Sequence, residues 1–240
     1  MDQEYNSLLK TYQRMFGMVD AIHFNSQNTA DVYGRLVDVP IESVVIPITH
    51  SDIDDHRQLR KFDLKQLKLG FIGSESTYKG FPMLKRVIEQ LNKEGFKEKI
   101  SLSVYGGRNG NDDVCANVMY KGRFNTMQME AVYNSMDLLV VPSICNETFG
   151  FTVLEAIQYG VPVLVSSKVG AKDVVKQYAS QFVFETENDL YIILCRLINN
   201  REELAAYNQK IVELPWQWSL EKHADEIARV FYDTICNKEI

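Results

Sequence analysis

The chain has 240 residues, 45% of them hydrophobic and 24% charged, which is enough to bury a sizeable core in a soluble globular fold. Its 26 basic and 32 acidic side chains leave a formal charge of −6, so there is no global field for nucleic acid and any anionic ligand must be held locally. No run approaches the roughly 20 apolar residues of a bilayer span. The N-terminus, MDQEYNSLLK, lacks the basic and apolar regions of a secretory signal. Cys115, Cys145, Cys195 and Cys236 are far apart and form no C-x-x-C pair, as expected of thiols in a reducing compartment. The expected location is the cytoplasm.

In chain order, a helix is predicted over roughly Ser7 to Phe16, then a strand in VDAIHFN, a helix from about Ser26, and a strand in SVVIPI. These sixty residues are too few for a domain and read as the end of one. From about Leu67, short apolar runs alternate with amphipathic stretches. LKLGFIG, ISLSVYG, NVMYKG, LLVVPS, PVLVSS and FVFE read as buried strands bounded by Gly, Pro, Ser or Asn. Between the first two, Leu84, Val87, Ile88 and Leu91 recur at helical spacing. Met129, Val132, Tyr133 and Met136 repeat the pattern, with Asn125 and Gln128 placed as a capping box. Such alternation implies an α/β, Rossmann-like parallel sheet with helices on both faces, and ligands bound at the carboxyl ends of its strands. A last helix carries the stripe Ala224, Ile227, Ala228, Phe231, Ile235.

The stretch from Pro142 to Ser167, PSICNETFGFTVLEAIQYGVPVLVSS, carries the chemistry. A strand ends at Pro142, a loop holds Glu147, and a helix begins near Gly150. The N–H groups of Phe151 and Thr152 have no partner inside that helix, and with its dipole they suit an anion such as a diphosphate. Glu155 lies about one turn further on, where its carboxylate can accept hydrogen bonds from vicinal hydroxyls. Taken singly, Glu155 is an ordinary helix residue, Glu147 a carboxylate favoured by the dipole, and Lys79 a solvated lysine. The motif around Glu155 argues otherwise for that residue, and the following Gly and post-strand position raise Lys79, while Glu147 as a helix-start carboxylate stays open.

Glu147 and Glu155 sit within P-S-x-x-N-E-T-F-G-F-x-x-x-E-A-x-x-x-G-x-P-V, which resembles the signature of the family 4 retaining glycosyltransferases of GT-B fold. The resemblance implies a C-terminal nucleotide-sugar-binding domain over 61–215, preceded by a remnant of the acceptor domain in 1–60 and followed by a closing helix in 216–240. It assigns the donor's ribose to Glu155 and the transferred sugar, or charge at its anomeric centre, to Glu147. The phosphates fall to backbone around Thr148, Phe149, Gly150, Phe151 and Thr152, and to Lys79. Backbone near Arg123 and Phe124 is expected to read the base edge. After the strand ending at Gly73, the family has Gly-Arg where this chain has Gly73-Ser74. A lysine with a hydroxyl is a weaker clamp than a lysine with a bidentate arginine. Arg108 is a candidate to compensate.

The implied reaction is transfer of a hexose-type group from a nucleoside diphosphate sugar, a UDP-sugar first, to an acceptor hydroxyl with retention. The implied acceptor is a sugar or glycan, bound through the remainder of the N-terminal domain, which is also where any membrane contact would lie. No metal or other cofactor is implied, because the cationic and backbone donors meet the diphosphate. Two alternatives stay open: a sugar-nucleotide epimerase or phosphorylase of related architecture, and a non-catalytic partner subunit. His23, His50, His56 and His223 show no metal spacing, and Asp52, Asp54 and Asp55 lack the rest of a calcium loop and read as solvated. Gly170-Ala171 is a candidate lining of the sugar pocket. Trp216 and Trp218 read as packing anchors before the last helix.

Overall fold

The structure is a computed structural model that describes residues 2–37, 42–107, 109–110, 115 and 117–236. It opens with α1 (Asp2–Phe16), β1 (Ala21–Phe24), α2 (Gln27–Leu36) and β2 (Glu42–Val45), the two strands forming a small parallel sheet. Ser26 caps α2, its hydroxyl accepting from the Thr29 N–H, the bond that a serine N-cap makes to the third helical residue.

The main body follows: β3 (Leu67–Ile72), α3 (Phe81–Lys93), β4 (Ile100–Tyr105), β5 (Asn109–Gly110), β6 (Val118–Gly122), α4 (Met129–Asn134) and β7 (Leu138–Val141). It continues with α5 (Phe151–Ile157), β8 (Val163–Ser166), α6 (Lys172–Ala179), β9 (Val183–Phe184), α7 (Glu187–Asn199), α8 (Glu202–Glu213) and α9 (Leu220–Cys236). Seven strands pair in the order β5-β6-β4-β3-β7-β8-β9. All neighbours are parallel except β5 with β6. Without β5, the order is that of a dinucleotide-binding sheet, 3-2-1-4-5-6, with its switch point between β3 and β7.

Local chemistry explains these elements. All four residues of β8 are buried, as are three of four in β7, which is why they read as continuous apolar runs. The stripe Leu84, Val87, Ile88, Leu91 is fully inside on α3. Asn125 and Gln128 do form a capping box, starting a 3₁₀ turn that leads into α4. The pair α7 and α8 was not anticipated from the sequence, although Thr186 and Asp189 make a capping box at the start of α7 and Leu190, Leu194 and Leu197 are its buried face.

The two tryptophans serve as anchors. Trp218 is 5% exposed, its carbonyl accepts from the Thr49 hydroxyl at 2.7 Å, and the Arg57 guanidinium lies 5.1 Å from the Trp216 ring centre. Asp55 is engaged rather than merely solvated, since it takes two hydrogen bonds from Arg57 at 2.7 and 2.8 Å.

Candidate active site at the switch point

The ends of β3 and β7 open a cleft of about 220 Å³. Its walls are Phe71, Ile72 and Gly73 on one side and Val140 to Ser143 on the other, with Lys79, Glu147 and Gly150 to Thr152 completing it. Of the residues singled out from the sequence, Gly73, Lys79, Glu147, Gly150, Phe151 and Thr152 are thus brought together.

Lys79 reaches the cleft because Gly80 lets the chain turn tightly into α3. Gly80 has φ +71°, and a Cβ there would lie 1.8 Å from the Pro142 carbonyl oxygen, so this backbone approach admits only glycine. The Ile144 N–H donates to the Tyr78 carbonyl at 3.0 Å, tying the segment before Lys79 to the loop that carries Glu147.

Lys79 Nζ donates to Glu147 Oε1 at 2.9 Å, with side-chain exposures of 43% and 14%. The Ser143 hydroxyl donates to the same carboxylate oxygen. The lysine end of the pair is partly solvated, while the carboxylate is largely enclosed. Gly150, in the left-handed region at φ +105°, starts α5 without a side-chain cap, leaving the first N–H groups without helical partners.

The other expected residues are placed differently. Glu155 does not line the cleft; its Oε2 accepts the Tyr133 hydroxyl proton at 2.6 Å. Burial, and then the Glu155 charge and hydrogen bond, hold the Tyr133 phenol well above its ordinary range. Phe149 is buried and meets the Phe151 ring edge-on at 5.6 Å between centres. The Thr148 carbonyl accepts from the Ser26 hydroxyl. Ser74 is exposed, 3.0 Å from the Ser76 hydroxyl. Phe124 packs edge-on against Tyr105, and Arg123 beside it is exposed. Arg108 lies outside the described residues. Gly170 and Ala171 form the backbone partner of the Glu147 loop, the Ala171 N–H donating to the Phe149 carbonyl at 2.7 Å.

Sequence reasoning missed Ser143, which stands inside the quoted motif without an assigned role, and Tyr133, which its helical stripe marked only as core. Among the described residues no group of three or more His, Cys, Asp or Glu side chains is arranged to hold a metal, and no helix is long and apolar enough to cross a membrane.

The sheet order and the cleft at its switch point define a doubly wound α/β protein with its candidate site at the carboxyl ends of the strands. Residues 52–212 match the glycosyl transferases group 1 family, and the chain belongs to that family. An uncharacterized glycosyltransferase of Methanocaldococcus jannaschii is 31% identical over 113 residues, 44% of this chain and 28% of that protein. Sucrose-phosphate synthase from Thermosynechococcus elongatus superposes with a TM-score of 0.71 at 15% identity, over 97% of this chain and 62% of that one. HepE of Anabaena, solved in complex with UDP, gives 0.73 at 18%, over 94% and 67%. At these identities the two structures speak for the fold. The chain spans less than two thirds of the length of the archaeal relative and of the synthase.

Proposed function

We propose that this chain is the nucleotide-sugar-binding half of a retaining, family 4 glycosyltransferase, which moves a hexose-type group from a nucleoside diphosphate sugar to an acceptor hydroxyl. The observation that carries this reading is the pairing of Lys79 with Glu147 across the switch point of a group 1 chain. In it, the diphosphate takes the place of Glu147 as the partner of Lys79 and lies against the first N–H groups of α5. Stabilising the charge that grows on the leaving diphosphate is the main catalytic contribution of these donors. Glu147, released from Lys79, faces the transferred sugar. Glu155 receives the ribose hydroxyls, which requires it to exchange its bond to Tyr133. Backbone around Arg123 and Phe124 meets the base, with uracil the first choice because HepE was solved with UDP. The acceptor in this reading is a sugar or glycan.

A second reading, a non-catalytic partner subunit, is favoured by one observation. Ser74, where the family has arginine, is an exposed hydroxyl beside Ser76 and supplies no cation.

Calorimetric titration with UDP, GDP and ADP tests the donor reading. Saturable binding of one nucleotide is expected, weakened about tenfold by Lys79→Ala, the size of one lost charge-assisted phosphate contact. A well-folded sample that binds none of the three ends the donor reading. Binding that survives Lys79→Ala and Glu155→Ala unchanged refutes the site.

A further inference from the structure

The loop that carries Glu147 is held from outside the sheet, by a residue 119 positions earlier. Past the ends of β7 and β8, Glu147 and Val169 make an isolated parallel bridge. The Glu147 N–H donates to the Lys168 carbonyl at 3.0 Å, and the Gly170 N–H to the Glu147 carbonyl at 3.1 Å. Asn28, in the first turn of α2, spans this bridge. Its Nδ2 donates to the Glu147 carbonyl at 3.2 Å and to the Lys168 carbonyl at 3.1 Å. Its Oδ1 accepts from Lys172 Nζ at 3.3 Å, and the residue is 9% exposed. Both amide protons and the amide oxygen are therefore used, an arrangement that only a carboxamide can supply.

A second contact beside it points the same way. The Ser26 hydroxyl donates to the Thr148 carbonyl, and Thr29 Oγ1 lies 3.0 Å from the same oxygen. The fit leaves no room at Gly170, where a Cβ would stand 2.2 Å from the Thr148 oxygen and 2.6 Å from Ser26 Oγ.

We infer that Asn28 is a positioning residue, which locks the Glu147 loop to the β8–α6 turn and so makes the geometry of the Lys79–Glu147 cleft depend on the docking of α2. The N-terminal segment thereby becomes part of the site without touching the cleft. A movement of α2 reaches Glu147 directly, through one hydrogen bond to its own carbonyl and one to the Lys168 carbonyl that accepts from its N–H. Only the effect on nucleotide binding rests on the donor reading; the lock itself does not.

The test uses the full chain and three variants: Asn28→Ala, the isosteric Asn28→Asp, and Gln27→Ala on the solvent side of the same turn. Amide hydrogen exchange is read at Glu147 and Gly170, with Val165 inside β8 as internal reference. Both Asn28 variants are expected to speed exchange at Glu147 and Gly170 about tenfold, the size of losing one to two net hydrogen bonds, and to leave Val165 unchanged. Gln27→Ala changes none of them. Asn28→Asp keeps the volume and the contact to Lys172 while removing both donated protons, so it decides the matter if Asn28→Ala fails to fold. Unchanged exchange at Glu147 and Gly170 in Asn28→Asp overturns the lock. UDP titration of the same samples is expected to show affinity lowered about fivefold in both Asn28 variants. If the unmodified chain binds no UDP while exchange still rises, the lock stands and the donor reading falls.

Discussion

The two sheets of this molecule are built largely from the same parallel strand–helix alternation, yet they are stabilised differently. In the large sheet, Leu67, Leu102, Leu139 and Val163 are wholly inside. In the small one, every residue of β1 is half-buried and β2 begins with two exposed residues, while Tyr5, Leu8, Tyr12 and Met15 of the neighbouring helix are exposed. A two-stranded sheet is marginal by itself. Polar side chains reach from this segment to the body, Asn28 and Ser26 at the Glu147 loop and Thr49 at Trp218, beside the apolar contact of Ile48 with the main core. The lesson is that polar contacts add to a small apolar contact in positioning a segment with little core of its own.

The comparison breaks most sharply at Gly80. Gly80→Ala drives a Cβ into the Pro142 carbonyl at a positive φ and is expected to destabilise the body by about 3–5 kcal/mol in urea unfolding. A loss under about 1 kcal/mol would mean that the α3 entry is not fixed against β7. Next come paired truncations. Leu139→Ala, in the fully buried β7, is expected to cost about 2–5 kcal/mol, against about 1 kcal/mol for Ile22→Ala in half-buried β1. Equal losses would refute the contrast between the sheets.

A smaller effect is expected where the body meets the site. Tyr133→Phe keeps the ring, stacked 5.6 Å from Tyr159, and removes the bond to Glu155. The expected loss is about 1–2 kcal/mol, together with an unchanged or tighter UDP titration, because Glu155 no longer has to leave Tyr133.

The smallest effect concerns the connection between the two sheets. The Arg57 guanidinium beside Asp55 holds that carboxyl below its usual range. A carboxyl depressed in the folded state adds stability above its unfolded pKa, near 4, and loses it as pH falls through the folded value. With Asp55 40% exposed, Asp55→Asn is expected to cost a few tenths of a kcal/mol at neutral pH, the gap closing as pH falls through the lowered folded value. A gap that persists at low pH would mean that the carboxylate charge is not its source.

The residues alone made legible the alternation of buried strands with one-faced helices, the Asn125–Gln128 cap and the Glu147 to Gly150 loop after a strand end. These are legible because burial and capping act over a few neighbouring residues. Membership of the glycosyltransferase family was legible for a related reason: the spacing of Glu147, Gly150 and Glu155 is local. What the tertiary structure alone decided is the strand order, which puts β3 beside β7 and so Lys79 against Glu147. The same holds for the partner of Glu155, because Tyr133 comes from another helix and reads in the sequence as core. Asn28 is the clearest case. No local pattern separates it from a surface asparagine in the first turn of a helix, and its three partners lie 119 to 144 residues away. Only the docking of α2 brings them within reach.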